Sequence, residues 1–165
     1  MNSQKTLVLN TKQISQKIQR MAWEIYEQNH TEKKIIIAGI AERGFILARR
    51  IAKTLSNISN IKVILVNVHL DKINPSKSSL KDDKIDFKNQ TVVLVDDVVK
   101  SGKTMMYGVQ LLMQKPLKKL ITAVLIDRNY KQYPIMAQVV GLSLSTTMQE
   151  HVSVVLEKNE SVHLV

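Results

Sequence analysis

Residues 92–104, VVLVDDVVKSGKT, hold the densest grouping of reactive side chains in the sequence. An apolar run ends in two carboxylates, Asp96 and Asp97. A turn of Lys100, Ser101, Gly102, Lys103 and Thr104 then opens a helix. Backbone N–H groups at such a turn and helix start converge on one spot and attract an anion. Ser101 and Thr104 add hydroxyl donors, and Gly102 allows a close approach. Gly102-Lys103-Thr104 also resembles the end of a Walker A loop, G-x-x-x-x-G-K-[ST]. Five residues before Gly102 that pattern requires glycine, and here stands Asp97, a carboxylate that would face the phosphates. A loop for a single phosphate is the better reading. Successive side chains diverge along an extended strand, so the two acids do not grip one metal together. They suit two sugar hydroxyls, or one on sugar and one on a hydrated Mg²⁺. The plainer alternative has Asp97 capping the turn.

Such a turn needs a sheet to present it. A short strand over 6–9 precedes an amphipathic helix from Thr11 to about Asn29, where Ile14, Ile18, Met21, Ala22, Ile25 and Tyr26 recur at helical spacing. Strands follow at 34–39 and 62–68, with a helix over 44–55 between them. Residues 91–95 form the next strand, and a helix runs from about Thr104 to Gln114, stopped by Pro116. A strand at 120–126 and strand-like runs near 139–141 and 152–156 complete the order. The runs 35–38, 92–95 and 121–126 are continuously apolar, as in strands covered on both faces. Alternation of strand and helix gives an α/β fold, a central mostly parallel sheet flanked by helices. Ligands of such sheets sit beyond the carboxyl ends of the strands. Residues 70–89 are polar and read as a flexible loop or small hairpin, a segment of the kind that closes over a ligand.

The order of apolar strand, two acids, two apolar residues, one variable residue and a [ST]-G-x-T turn resembles the type I phosphoribosyltransferases, and VVLVDDVVKSGKT matches at every constrained position. That resemblance implies one domain over residues 1–165, with a small hood. It implies that Lys100 to Thr104 cradle the 5-phosphate of 5-phosphoribosyl 1-diphosphate (PRPP). Asp96 and Asp97 would hold the ribose hydroxyls and favour an oxocarbenium-like transition state, with Asp96 beside the Mg²⁺. Within the family the chain is most similar to the PyrR group of pyrimidine operon attenuators and uracil phosphoribosyltransferases. The early helix around Ile18–Ile25, Gly39 to Ala48, Ala123 to Arg128, Pro134-Ile135 and Val140-Gly141 carry this likeness. Ala41, Glu42, Arg43 and Gly44 correspond to the diphosphate loop, G-I-x-x-R-G. Arg43 suits phosphate oxygens, and a merely superficial arginine would be unfavourable beside a positive helix end. Glu42 departs from the group, which carries a hydroxyl or neutral residue there. Its carboxylate repels diphosphate unless Mg²⁺ intervenes or the side chain turns away. Purine enzymes of the family place an aspartate where this chain has Lys100, which argues for a pyrimidine. Asp127, Arg128 and backbone near Val139 and Val140 would border the base, with turn-capping an equal alternative for Asp127.

The implied activity is transfer of phosphoribose to uracil, giving UMP and diphosphate; the alternative is a UMP- or PRPP-sensing RNA-binding regulator of pyrimidine genes with little turnover. The net charge of +10 suits anionic partners without choosing among them. Where the attenuators carry basic and hydroxyl residues for RNA, the chain has Gln19, Trp23, Gln28, Met136 and Leu142, leaving Arg20 and Lys131. RNA therefore ranks below the enzyme, and neither DNA nor a membrane is expected. Family members are commonly dimers or higher, so a homo-oligomer is implied. With no cysteine, disulfides, thiolate chemistry and cysteine zinc sites are excluded. No apolar run approaches the roughly 18 residues of a membrane span, and the start lacks a signal peptide's apolar region. The expectation is a soluble cytoplasmic protein. The four histidines form no metal-ligand spacing and read as surface or structural. Met105, Met106 and Met113 read as helix core, and Trp23 as packing the first helix.

Overall fold

The computed structural model describes residues 5–71, 73–82, 84–147 and 149–165. Its main sheet contains β2 (Lys34–Ile40), β3 (Lys62–His69), β4 (Ser79–Leu80), β5 (Thr91–Val99), β6 (Lys119–Arg128) and β7 (Val139–Leu144), in the order β4-β3-β2-β5-β6-β7. All pairs are parallel except β3 with the short edge strand β4. β5 lies near the middle, so its carboxyl end opens onto both neighbours.

The continuous apolar runs are explained by cover on both faces. Ile35, Ile37, Val93 and Val95 pack with α1 (Thr11–Asn29) and α2 (Ala41–Ile58) through Ile14, Met21, Ile25, Leu47 and Ile51. The alternate residues Ile36, Ala38, Val92 and Leu94 pack on the opposite face with Met105 and Leu112 of α3 (Lys103–Met113) and with Phe87. Adjacent residues thus serve separate cores, and no polar position interrupts the run.

α1 starts where its sequence supplies a reciprocal cap. Gln13 N–H donates to Asn10 Oδ1, and Asn10 N–H donates to Gln13 Oε1, both at 2.9 Å. The Asn10→Ala variant is expected to lose about 1 kcal/mol of stability, read from urea unfolding. An unchanged unfolding midpoint would show that tertiary packing alone sets this helix start.

A second, three-stranded antiparallel sheet has the order β1-β9-β8, from β1 (Thr6–Asn10), β8 (Val152–Val155) and β9 (Ser161–Leu164). It is separate from the six-stranded main sheet. The segment over 70–89 carries a 3₁₀ turn at Pro75–Lys77 and the strand β4, and it buries Leu80 and Phe87. Residues 72 and 83 of this segment lie outside the described set. Two expectations about packing change. Trp23 is 43% exposed and meets Tyr26 edge-on at 5.9 Å, and Met113 is 63% exposed. Of the expected helix-core methionines, Met105 is buried. Among the described residues, no helix is long and apolar enough to cross a membrane.

Candidate functional site

β5 continues past the apolar run to Val99, so Asp96 and Asp97 are strand residues. Their side chains diverge as extended geometry requires. Asp96 is 7% exposed and its Oδ1 accepts from Asp97 N–H at 2.9 Å. Asp97 Oδ2 faces Arg43 Nη1 at 3.9 Å. Gly102 then turns the chain with φ +89° and caps α3, which starts at Lys103. A Cβ at Gly102 would lie 2.4 Å from Ile135 Cγ2, so only glycine fits both the turn and its neighbour. The Ser101 carbonyl accepts from Gln132 N–H and Tyr133 N–H at 2.9 and 3.0 Å, tying the loop after β6 to this turn.

Asp96, Val98, Val99, Lys100, Ser101, Gly102, Thr104 and Met105 line a hollow of 70 Å³. Lys103, expected in the same cradle, is absent from this lining; its Nζ lies 5.9 Å from the Tyr107 ring centroid.

A larger cleft, 360 Å³, adjoins the hollow. Ala41, Glu42, Arg43, Asp96, Asp97 and Thr104 line it, with Ile40, Leu70 and Val98. α2 begins at Ala41, earlier than the periodicity indicated, so Ala41 to Gly44 are its first turn rather than a separate loop. The N-cap, Ile40, offers no side-chain hydrogen bond. Its first-turn N–H groups therefore have no side-chain cap competing for them. Ala41 takes φ +53°, a left-handed conformation costly for alanine and characteristic of functional sites. Gly44 does not line the cleft. A Cβ there would stand 2.8 Å from the Val95 carbonyl, so its part is to let α2 close onto β5. Glu42 also faces a 530 Å³ cleft on the β3 side, with Arg49, His69, Lys81 and Glu157 among its lining.

The residues read as bordering a base are not brought to one cavity. Another cavity, 170 Å³, is lined by Arg43, Asp97, Val98, Lys100, Arg128, His151 and Val152. Of the four residues read as bordering a base, only Arg128 reaches it. Asp127 is paired with Lys131. Val139 is buried in the core, and the Val140 carbonyl accepts from Arg20 Nη2 at 2.6 Å. The register explains this: Val139 and Val140 open β7 opposite Ala123 and Val124, whereas Arg128 pairs with Leu144 at its far end. His151 and Val152 were not foreseen at the site. Backbone bonds exchanged between His151 and Val165, each 2.8 Å, hold this stretch at the start of β8. No local spacing signals such a pairing.

Asp97 thus borders two cavities and Asp96 the other junction, with Val98 common to all three. The three cavities therefore adjoin one another around the acid pair. The description "Phosphoribosyl transferase domain" matches residues 5–158. The chain belongs to this phosphoribosyl transferase family. "Bifunctional protein PyrR" of Clostridium kluyveri is 31% identical over 98% of this chain and 96% of its own length. The protein of the same name from Bacillus subtilis is 30% identical, covering 99% and 96%. Among solved structures, the hypoxanthine phosphoribosyltransferase of Trypanosoma cruzi superimposes with a TM-score of 0.80 at 14% identity, over 96% of this chain and 95% of that one. A hypoxanthine-guanine phosphoribosyltransferase from Bacillus anthracis gives 0.68 at 20% identity, covering 86% and 84%. At these identities the structural likeness carries the fold and leaves the base open. Within the family fold, Asp96 borders both the hollow beside Gly102 and the cleft at the first turn of α2.

Proposed function

We propose that this chain transfers phosphoribose from PRPP to uracil, releasing UMP and diphosphate. One observation carries the reading: a glycine-turned, single-phosphate hollow shares Asp96 with a cleft that Asp97 and Arg43 also line. The 5-phosphate would occupy the hollow, with Lys100, Ser101, Gly102 and Thr104 around it. Asp96 and Asp97 would accept from the ribose hydroxyls and stabilise positive charge developing at C1. Ala41, Glu42 and Arg43 would face the diphosphate. The C1–O bond to diphosphate breaks, the C1–N1 bond to uracil forms, and the N1 proton departs to solvent. Nothing in this scheme needs a protein nucleophile; positioning and electrostatics do the work.

The donor set fits Mg²⁺. Among the described residues no three His, Asp or Glu side chains gather into a metal cage. Mg²⁺ usually binds through one or two carboxylates and substrate phosphates, and Asp96, Asp97 and Glu42 offer hard oxygens at the cleft where diphosphate would lie. When bound, the ion would neutralise diphosphate and help it leave. Diphosphate release that needs both PRPP and uracil is the expected result; release absent with every pyrimidine base tried sinks the proposal.

The name of the relatives and the net charge of +10 favour a second reading, a pyrimidine-gene regulator that binds RNA. We rank it lower because both cations left on that surface are engaged. Arg20 bonds Glu24 at 3.0 Å and the Val140 and Gly141 carbonyls, and Lys131 is committed to Asp127. Titrating pyrimidine-leader RNA at two salt concentrations, with and without UMP, tests it. The expected result is weak binding that UMP does not alter and salt abolishes.

A further inference from the structure

The turn that opens α3 has little of its own to hold its shape. Gly102 sits at φ +89° and offers no side-chain cap. A glycine there is free to leave that conformation for many others. The side-chain bond inside the turn is long, from Lys103 N–H to Ser101 Oγ at 3.3 Å. The Gly102 carbonyl accepts from Met106 N–H at 2.9 Å, which secures the helix behind it. A cradle of N–H groups binds an anion tightly only when it is held in place beforehand.

A strap from outside the turn supplies the missing restraint. Residues 132–138 follow β6, and both ends of this stretch are tied down. At one end Gln132 N–H and Tyr133 N–H donate to the Ser101 carbonyl. At the other, the Thr122 hydroxyl of β6 donates to the Met136 carbonyl at 2.8 Å, and Gln138 N–H donates to the Thr122 carbonyl at 2.9 Å. Between them Pro134 fixes its own φ and restricts Tyr133. Ile135 N–H closes a tight turn onto the Tyr133 carbonyl at 2.8 Å. Ile135 is thereby seated on the glycine. Its Cγ2 lies 2.4 Å from where a Cβ of residue 102 would stand, and the Tyr133 carbonyl lies 3.3 Å from the same point. The β-branched side chain is stiff at χ1, and it packs against the core cluster that holds Met105 and Leu112 of α3. Ile135 does not line the hollow itself.

We infer that Ile135 is a positioning residue for phosphoribosyl transfer: by its contact on Gly102 it holds the Lys100–Thr104 turn in the shape that accepts the 5-phosphate. This rests on the reading of that turn as the 5-phosphate site and deepens it. Pro134-Ile135 is among the segments that carry the likeness to the PyrR group, and the strap gives the pair a physical task. The contact is made by one methyl group, so shape rather than hydrophobicity decides its effect. Valine keeps that methyl. Leucine keeps the volume and has no methyl on Cβ. Alanine loses both.

The test is calorimetric titration of the full chain with ribose 5-phosphate, with urea unfolding of the same preparations. Ile135→Ala and Ile135→Leu should each weaken ribose 5-phosphate binding by about tenfold or more, and Ile135→Val should stay within about twofold of wild type. Leu120→Ala is the control. Leu120 packs against the same core cluster from the opposite end of β6, so its truncation should lower stability and leave the affinity unchanged. In initial rates of diphosphate release, the Ile135→Leu loss should fall on KM for PRPP and leave kcat within about twofold. Folded Ile135→Leu that binds ribose 5-phosphate as wild type does overturns the inference, even where Ile135→Ala fails to fold. A loss in Leu120→Ala as large as in Ile135→Leu also overturns it, because general loosening of the core would then be the cause. Wild type that binds no ribose 5-phosphate removes the phosphate site itself, and the role of Ile135 with it.

Discussion

The Asp97→Asn variant is expected to lose about 10²–10³-fold in turnover while staying folded, the scale seen when one preorganised electrostatic group is removed from a transition state. Asp97 borders both the cleft with Arg43 and the cavity with Arg128, so its carboxylate stands at the junction where C1 of the sugar would exchange partners. Asparagine keeps the shape and one acceptor oxygen; it removes the charge and turns the other oxygen into a donor. If that charge acts on an oxocarbenium-like state, the loss falls on kcat and KM moves little. Initial rates of diphosphate release at saturating PRPP give this split, and the thermal midpoint reports folding. A variant that keeps a third or more of wild-type kcat, or is no less active than an equally inert wild type, contradicts the assignment.

The Gly102→Val variant should be hit in stability and in phosphate binding together. Valine at φ +89° is strained, at a cost of about 1–3 kcal/mol. Its Cβ would also stand 2.4 Å from Ile135 Cγ2, and overpacking adds about 1–3 kcal/mol. Ile135 has little freedom to withdraw, because Ser101 holds the 132–133 backbone against the same turn. Relief therefore has to come from the turn itself, which moves the N–H groups that would hold the phosphate. Urea unfolding and ribose 5-phosphate titration should both show the loss. Normal affinity for ribose 5-phosphate in a destabilised variant would mean that the phosphate is held elsewhere.

The elements that position the site were readable from the sequence where their determinants are local. The β5 run, the acids and the glycine turn follow one another in thirteen residues, and each has its own reason to be there. The start of α2 was less readable, because an alanine gives no sign that it will adopt φ +53°. Reading Gly44 as a ligand-facing glycine also missed its role as a spacer between α2 and β5. The 170 Å³ cavity depends on pairings between distant segments. β9 is four residues long and pairs with β1 across nearly the whole chain, and only that sheet brings His151 and Val152 to the cavity. Val139 and Val140 open β7 and Leu144 ends it beside Arg128, a placement that register alone decides.

The contact between Arg43 and Asp97 bears on how a catalytic cycle would end. Arg43 Nη1 stands 3.9 Å from the Asp97 carboxylate with its side chain 65% exposed, a weak attraction beyond hydrogen-bond reach. In the proposed reaction, departing diphosphate would compete with an internal rival for the same cation. The by-product would then be held slightly less tightly than by an isolated arginine, and Asp97 would be in place to attract the cation again once diphosphate had left.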